Sequence, residues 1–258
     1  MNKTLTIGII AIAVLLAGIV GFWMMSQNML KLNPDQYTFS NRGNNKTDQG
    51  TVVVAITDAA ANMGNVSAVN VTVDKVYLHS ESQGWVLVSS NEQTFELLDL
   101  KAKKSLALVA KTNVKADTYD QVWLHISKVM VTESGTAKEA KLPSNDVRIS
   151  GIVKVAANAT ASATMDVIAD ESLHKTANGK FVFAPVIKFE SRSQATVNVT
   201  ADNVVTIVNG NVDSSKSAGM DVTGEVKDNF KLDAKAVIEI NAGAVQIKGS
   251  STDTINLK

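Results

Sequence analysis

The stretch Val69-Asn70-Val71-Thr72-Val73-Asp74-Lys75-Val76-Tyr77-Leu78 decides the fold class. Valines at 69, 71 and 73 alternate with Asn70, Thr72 and Asp74. A period of two places apolar side chains on one face of a strand and polar ones on the other. After Asp74-Lys75 the apolar positions become Val76 and Leu78, one residue out of step, which predicts a β-bulge at that dipeptide. The same period recurs outward. Residues 51–57 (TVVVAIT) are a β-branched run, closed by Asp58 and small residues. Residues 80–84 make a turn, 85–88 return from it, and 95–100 read as a further short strand. In 119–131, Val122, Leu124 and Ile126 share one face, and Trp123, His125 and Ser127 the other. Strands are expected near 138–142, 147–156, 161–168, 181–183 and 186–189. Pro185 between the last two cannot donate to a ladder, so it marks an edge or a break.

One helix is expected in this body, over 101–111. Ala102, Leu106, Val109 and Ala110 fall at i, i+4, i+7 and i+8, with Lys101, Lys103 and Lys104 pointing elsewhere. The lysines suit an acidic ligand, but a solvated helix face is the plainer reading. Residues 170–175 read as a helical turn or loop. Short strands with a single helix leave no room for βαβ crossovers and argue an all-β chain, two packed sheets in a sandwich. The expected core includes Val71, Val73, Trp85, Leu98, Leu106, Leu124, Ile126 and Ile187.

Composition narrows the function classes. Of 258 residues, 45% are hydrophobic and 19% charged, enough apolar content for a core. Lys plus Arg and Asp plus Glu are equal at 25 each. The basic excess of a nucleic-acid binder is missing. Without cysteine the chain has no disulfide, thiolate metal site, Cys nucleophile or lipid-modified Cys.

Residues 4–30 carry no charge, and 7–25 (IGIIAIAVLLAGIVGFWMM) are almost continuously apolar. Nineteen residues at about 1.5 Å each reach about 28 Å, close to a bilayer core. Phe22 and Trp23 fall where interfacial aromatics sit. The run is longer than a leader's apolar region and lacks a good cleavage site after it, so it reads as a retained membrane anchor; a cleaved leader is the alternative. Lys3 and the terminal amine place the amino terminus in the cytoplasm and the bulk of the chain outside. Residues 31–50 are polar and read as a flexible stalk. Glycosylation sequons start at Asn45, Asn65, Asn70, Asn158 and Asn198.

Beyond 193 the texture changes, with Phe230 the one aromatic. Residues 204–212 (VVTIVNGNV) and 237–245 (VIEINAGAV) match at four of nine positions. Both read as hairpins, turning at Asn209-Gly210 and Ala242-Gly243. The expected organisation is an anchor over 1–30, a stalk over 31–50, a sandwich over 51–193 and a small β-rich unit over 194–258. That last unit either packs on its own chain or pairs strand edges with a second copy.

An ordered set of residues in 50–193 resembles a known family. It runs from Gly50 through Ile56-Thr57-Asp58-Ala59-Ala60 and Val73-Asp74-Lys75-Val76, then Trp85 and Val88. It continues with Phe95-Glu96-Leu97-Leu98-Asp99-Leu100, Tyr119 ahead of Val122 and Leu124, and Pro143-Ser144-Asn145-Asp146-Val147. Asp166 ahead of Ser172-Leu173, then Pro185-Val186-Ile187-Lys188, complete it. The set is similar to an uncharacterised family of prokaryotic extracytoplasmic domains, often membrane- or lipid-anchored. Ala60 stands where the family tends to have Pro, and Asp117 where it has Gly. The resemblance implies an immunoglobulin- or transthyretin-like sandwich outside the cytoplasm, with no activity to carry over.

No residue qualifies as catalytic, cofactor-binding or metal-ligating. His79, His125 and His174 lack ligand neighbours at metal spacing. Asp166, Asp170 and Glu171 could hold Ca²⁺, but no calcium-loop pattern surrounds them, and capping a local turn is the plainer role. Gly-x-Ser-x-Gly and glycine-rich phosphate loops do not occur. Asp58 should bond its own backbone. Tyr119 resembles a tyrosine corner. Trp85 and Trp123 are expected in the core or on a sheet face, with sugar stacking the bolder reading. The expected function is a non-catalytic, membrane-anchored surface module for binding, adhesion or assembly, with a protein or carbohydrate partner. The alternative is a solute-binding or enzymatic domain with a pocket between its sheets.

Overall fold

A computed structural model describes residues 48–60 and 62–248. The apolar run 7–25 and nearly all of the stalk lie outside the described residues. Among the described residues no helix is long and apolar enough to cross a membrane.

The protein is mostly β. One sheet contains β1 (Gln49–Thr57), β5 (Leu106–Lys115), β9 (Thr160–Val167), β12 (Val186–Ser193), β13 (Val197–Val199), β14 (Val204–Ile207), β15 (Asn211–Met220) and β16 (Val226–Asp228). Their order is β13-β14-β5-β1-β9-β12-β15-β16. The other contains β2 (Val66–Ser80), β3 (Gly84–Ser89), β4 (Gln93–Glu96), β6 (Asp117–Glu133), β7 (Thr136–Lys141), β8 (Asp146–Val155), β10 (Leu173–Lys175) and β11 (Phe181–Phe183). Its path is β10-β11-β7-β6-β2-β3, with β4 also on β2 and β8 also on β6. A hairpin of β17 (Ile238–Asn241) and β18 (Ala244–Ile247) follows, and two short helices, α1 (Leu97–Lys103) and α2 (Ala169–Ser172), complete the set.

The long strands β2 and β6 are the spine of the second sheet. Their register slips between Val73 and Lys75, where the sequence pattern changes phase. Val69, Val71, Val73, Val76 and Leu78 all face inward and are buried with Val122, Leu124 and Ile126. They share one core with Val52, Val54, Ile56, Met165, Ile187 and Phe189 of the first sheet. Strand β1 is buried on its other face as well. There Val53 and Ala55 pack with Val205 and with Leu106, Leu108, Val197 and Ile207, so the β13–β14 hairpin covers the outside of β1. β1 is also the parallel neighbour of β9.

The helix differs from expectation. It spans Leu97–Lys103, and 106–111, expected to be helical, belong to strand β5. The Glu96 carboxylate ends β4 and caps the helix by accepting from the Leu98 and Asp99 N–H groups. Lys104, at φ 49°, closes it in the left-handed region. Beyond that cap, Val109 and Ala110 owe their burial to pairing beside β1. The strand expected over 95–100 therefore stops at Glu96. Of the expected core, Leu98 and Leu106 are half-buried, and Trp85 is 38% exposed on the outer face of β3.

Residues after 193 extend the first sheet. β15 pairs antiparallel with β12 from Val186↔Gly219 to Ser193↔Asn211. Met220, Phe230, Leu232, Ile238 and Val245 are buried in the main core. The Ala242-Gly243 hairpin forms, with φ 48° and 86°. The Asn209-Gly210 hairpin does not: β14 pairs with β13 and β5, and β15 with β12 and β16. Asn209 instead accepts the Thr196 N–H on its side chain at 2.8 Å, making a corner between β14 and β15.

Candidate functional site

Strands β3, β2, β6 and β8 lie side by side, and their outward residues form a four-strand face. Register fixes its rows. Leu87 lies opposite Tyr77, Tyr77 opposite Trp123, and Trp123 opposite Arg148. The next row runs Trp85, His79, Gln121, Ser150. Period two sends these side chains to the solvent side because Val76, Leu78, Val122, Leu124, Val147 and Ile149 occupy the core side.

The first row is a stack. The Tyr77 and Trp123 rings are 4.6 Å apart and 20° from parallel. The Arg148 guanidinium lies 4.7 Å from the Trp123 centroid. The Trp123 Nε1–H donates to Asp146 at 3.1 Å. Trp85 is placed differently. Its ring is 4.9 Å from His79, 5.4 Å from Trp123 at 76°, and 5.7 Å from the Arg148 guanidinium. Trp123 is two strands from Trp85 and Arg148 three, at about 4.8 Å per strand. The indole must therefore lean across β2, which leaves part of its surface open. Trp85 is 38% and Leu87 50% exposed.

Two His–Asp pairs flank the stack. His79 Nδ1 meets Asp120 at 2.7 Å, and His125 Nδ1 meets Asp74 at 2.5 Å. Both histidines are thus held by carboxylates, and they stand in different rows of the face. Among the described residues no three His, Cys, Asp or Glu side chains gather to hold a metal ion.

Beside this face, past the β3 edge, lies an open groove of about 620 Å³. Leu87, Val88 and Ser89 wall one side and Leu108 to Thr112 the other; Lys111 is its titratable group. Gln93 Nε2 donates across it to the Val109 carbonyl at 2.9 Å.

Several of the remaining candidates from sequence have structural partners, while Asp166 Oδ1, Asp170 Oδ1 and His174 Nε2 are buried without one. Tyr119 is buried, and its hydroxyl donates to the Lys115 carbonyl at 2.9 Å, the back-bond of a tyrosine corner. Asp58 accepts from the Ala60 N–H at 2.8 Å, as expected, and from the Ala169 N–H at 3.1 Å. Burial holds the Asp58 carboxyl above its ordinary range despite these bonds, and Asp166 adds to the rise. Burial likewise raises Asp166. Glu171 pairs with Lys231 at 2.8 Å. Burial lowers the His174 imidazole. Of the lysine cluster, Lys103 bonds Asp99 one turn back at 2.7 Å.

The aromatic face was only half legible in the sequence. Alternation put Trp123 and His125 on one side of β6. The convergence of Trp85, Tyr77 and Arg148 depends on cross-strand register, which no local pattern carries.

A family model described as "Domain of unknown function (DUF4382)" matches residues 49–185. No curated protein and no solved structure matches the chain.

Proposed function

We propose, from the premise that this chain belongs to the domain-of-unknown-function family DUF4382, that it is a non-catalytic recognition module displayed at a membrane surface. In this reading residues 7–25 anchor it, with the amino terminus cytoplasmic and the β body outside. The body serves as an immunoglobulin- or transthyretin-like sandwich that presents the β3-β2-β6-β8 face to a partner. One observation carries the proposal: Trp85 and Leu87 remain exposed beside Tyr77, Trp123 and Arg148. Large apolar and aromatic side chains grouped on a surface mark interaction sites, and Trp, Tyr and Arg are the types that dominate binding energy. The groove past β3 is lined by Ser, Asn, Gln, Thr, Lys111 and aliphatic groups rather than by convergent carboxylates or histidines, which favours recognition over catalysis.

The test uses intact cells carrying the full chain or the variant Trp85→Ala/Leu87→Ser/Arg148→Glu. Both should be cut by protease added outside, and the variant should attach to neighbouring cells several-fold less. Equal attachment overturns the recognition reading. A body shielded from external protease overturns its location.

A further inference from the structure

We infer that the β3-β2-β6-β8 face binds a saccharide bearing a carboxylate, a uronate, with the sugar ring on the Trp85 indole and its carboxylate on the Arg148 guanidinium. This rests on the recognition reading above and names the ligand class.

The indole supplies the first half. Trp85 leans across β2 with its ring against His79 and Trp123, and 38% of the residue stays open to solvent. A broad ring fixed by neighbours loses little freedom on binding, and it suits the flat C–H face of a pyranose. Trp123 is less open than Trp85, with Tyr77 stacked on it at 4.6 Å and the Arg148 guanidinium nearer, at 4.7 Å against 5.7 Å.

The charges supply the second half. The acidic groups of this face are engaged: Asp120 with His79, Asp74 with His125, and Asp146 with the Trp123 Nε1–H. Arg148 is not spent in this way. Among the described residues its guanidinium makes no hydrogen bond; its contacts are the two indoles and Asp146 at a long 3.9 Å. Its side chain is 52% exposed. A guanidinium is a planar fork of donors that matches a carboxylate in two parallel bonds. Stacking on Trp123 holds the fork close to the Trp85 ring, so ring and charge can be engaged by one small molecule. Lys75, exposed beside His125, adds a second cation on the same face. With 25 basic against 25 acidic residues the chain lacks the basic excess a phosphate polymer needs, whereas one open guanidinium fork fits one carboxylate.

The test is saturation-transfer NMR and tryptophan fluorescence on the full chain in lipid nanodiscs. The probes are tri-galacturonate, tri-mannuronate and the methyl ester of each, which keeps the ring and removes the charge. At least one acid should bind, and its ester at least tenfold more weakly. Trp85→Ala should weaken the acid at least tenfold. Arg148→Gln should bring the acid down to the level of its ester and leave the ester unchanged. Ester binding equal to acid, or an acid indifferent to Arg148→Gln, overturns the uronate assignment. Binding by none of the four overturns the saccharide class, while the cell-attachment comparison still decides the recognition reading independently.

Discussion

Asp58 keeps one carboxylate oxygen in use and one idle. Oδ1 accepts two backbone N–H groups, from Ala60 and from Ala169; Oδ2 is buried without a partner. The residue is 4% exposed. Burial, with Asp166 nearby, raises its folded pKa above the ordinary 3.8, so the folded state holds the proton more tightly than the unfolded chain. That contribution favours folding below about pH 4 and is lost as pH rises through the raised value. Asp58→Asn keeps an acceptor for both N–H groups and puts a neutral amide where the idle oxygen stood. Relative to wild type it should gain stability as pH rises from 4 to 7, because it carries no charge that burial disfavours. Asp58→Ala removes the acceptor and should cost about 1–3 kcal/mol at either pH. Urea unfolding at the two pH values checks this; an Asn effect that is the same at both rules out the titration. The sequence foretold the bond to Ala60, since an Asp opening a loop turns on its own backbone. The bond to Ala169 was out of reach, because nothing local links positions 111 apart.

At the scale of elements, β8 belongs to one sheet yet lies against the other. A Cβ added at Gly151 would come within 2.5 Å of the Phe189 ring on β12. The Ser191 hydroxyl donates to the Ile152 carbonyl, and the Ile152 N–H donates to Ser214 Oγ at 3.3 Å. The two sheets therefore approach closely at this side, which is possible because small residues stand there. Gly151→Ala should destabilise by about 1–3 kcal/mol, the usual cost of overpacking, and Phe189→Leu should recover part of that loss. If Gly151→Ala unfolds at the wild-type urea midpoint, the close approach is wrong. Alternation made most strands legible, including the bulge at Asp74-Lys75. The helix was misplaced for a physical reason. Ala102, Leu106, Val109 and Ala110 satisfy helical spacing, but a seven-residue helix held between Glu96 and Lys104 ends before three of them. The segment that follows finds its hydrogen bonds beside β1 instead.

At the scale of the molecule, the match to the family stops at 185, one residue before β12 begins. Inside the described body, β12 bonds β9 on one side and β15 on the other, and Met220 and Ile238 are buried in the common core. A chain ended at residue 195 should lose cooperative urea unfolding at every protein concentration. Wild-type unfolding by such a chain would make the later residues an appendage. The sequence showed this tail as β-rich and plain. It did not show its placement, because Asn209-Gly210 carries a hairpin signature yet turns a corner between strands that do not pair.

The double cover of β1 also governs the order of folding. Thr51 finds its parallel neighbour only when Thr160 is available, and Val53 is roofed only once Val205 arrives. Among the described residues the first strand in sequence is thus enclosed only when Val205 is in place, and contacts this distant in sequence slow the approach to the native state. A nascent chain of this design cannot complete the cover of β1 until residue 205 has been synthesised, so Val53 waits on more than 150 later residues.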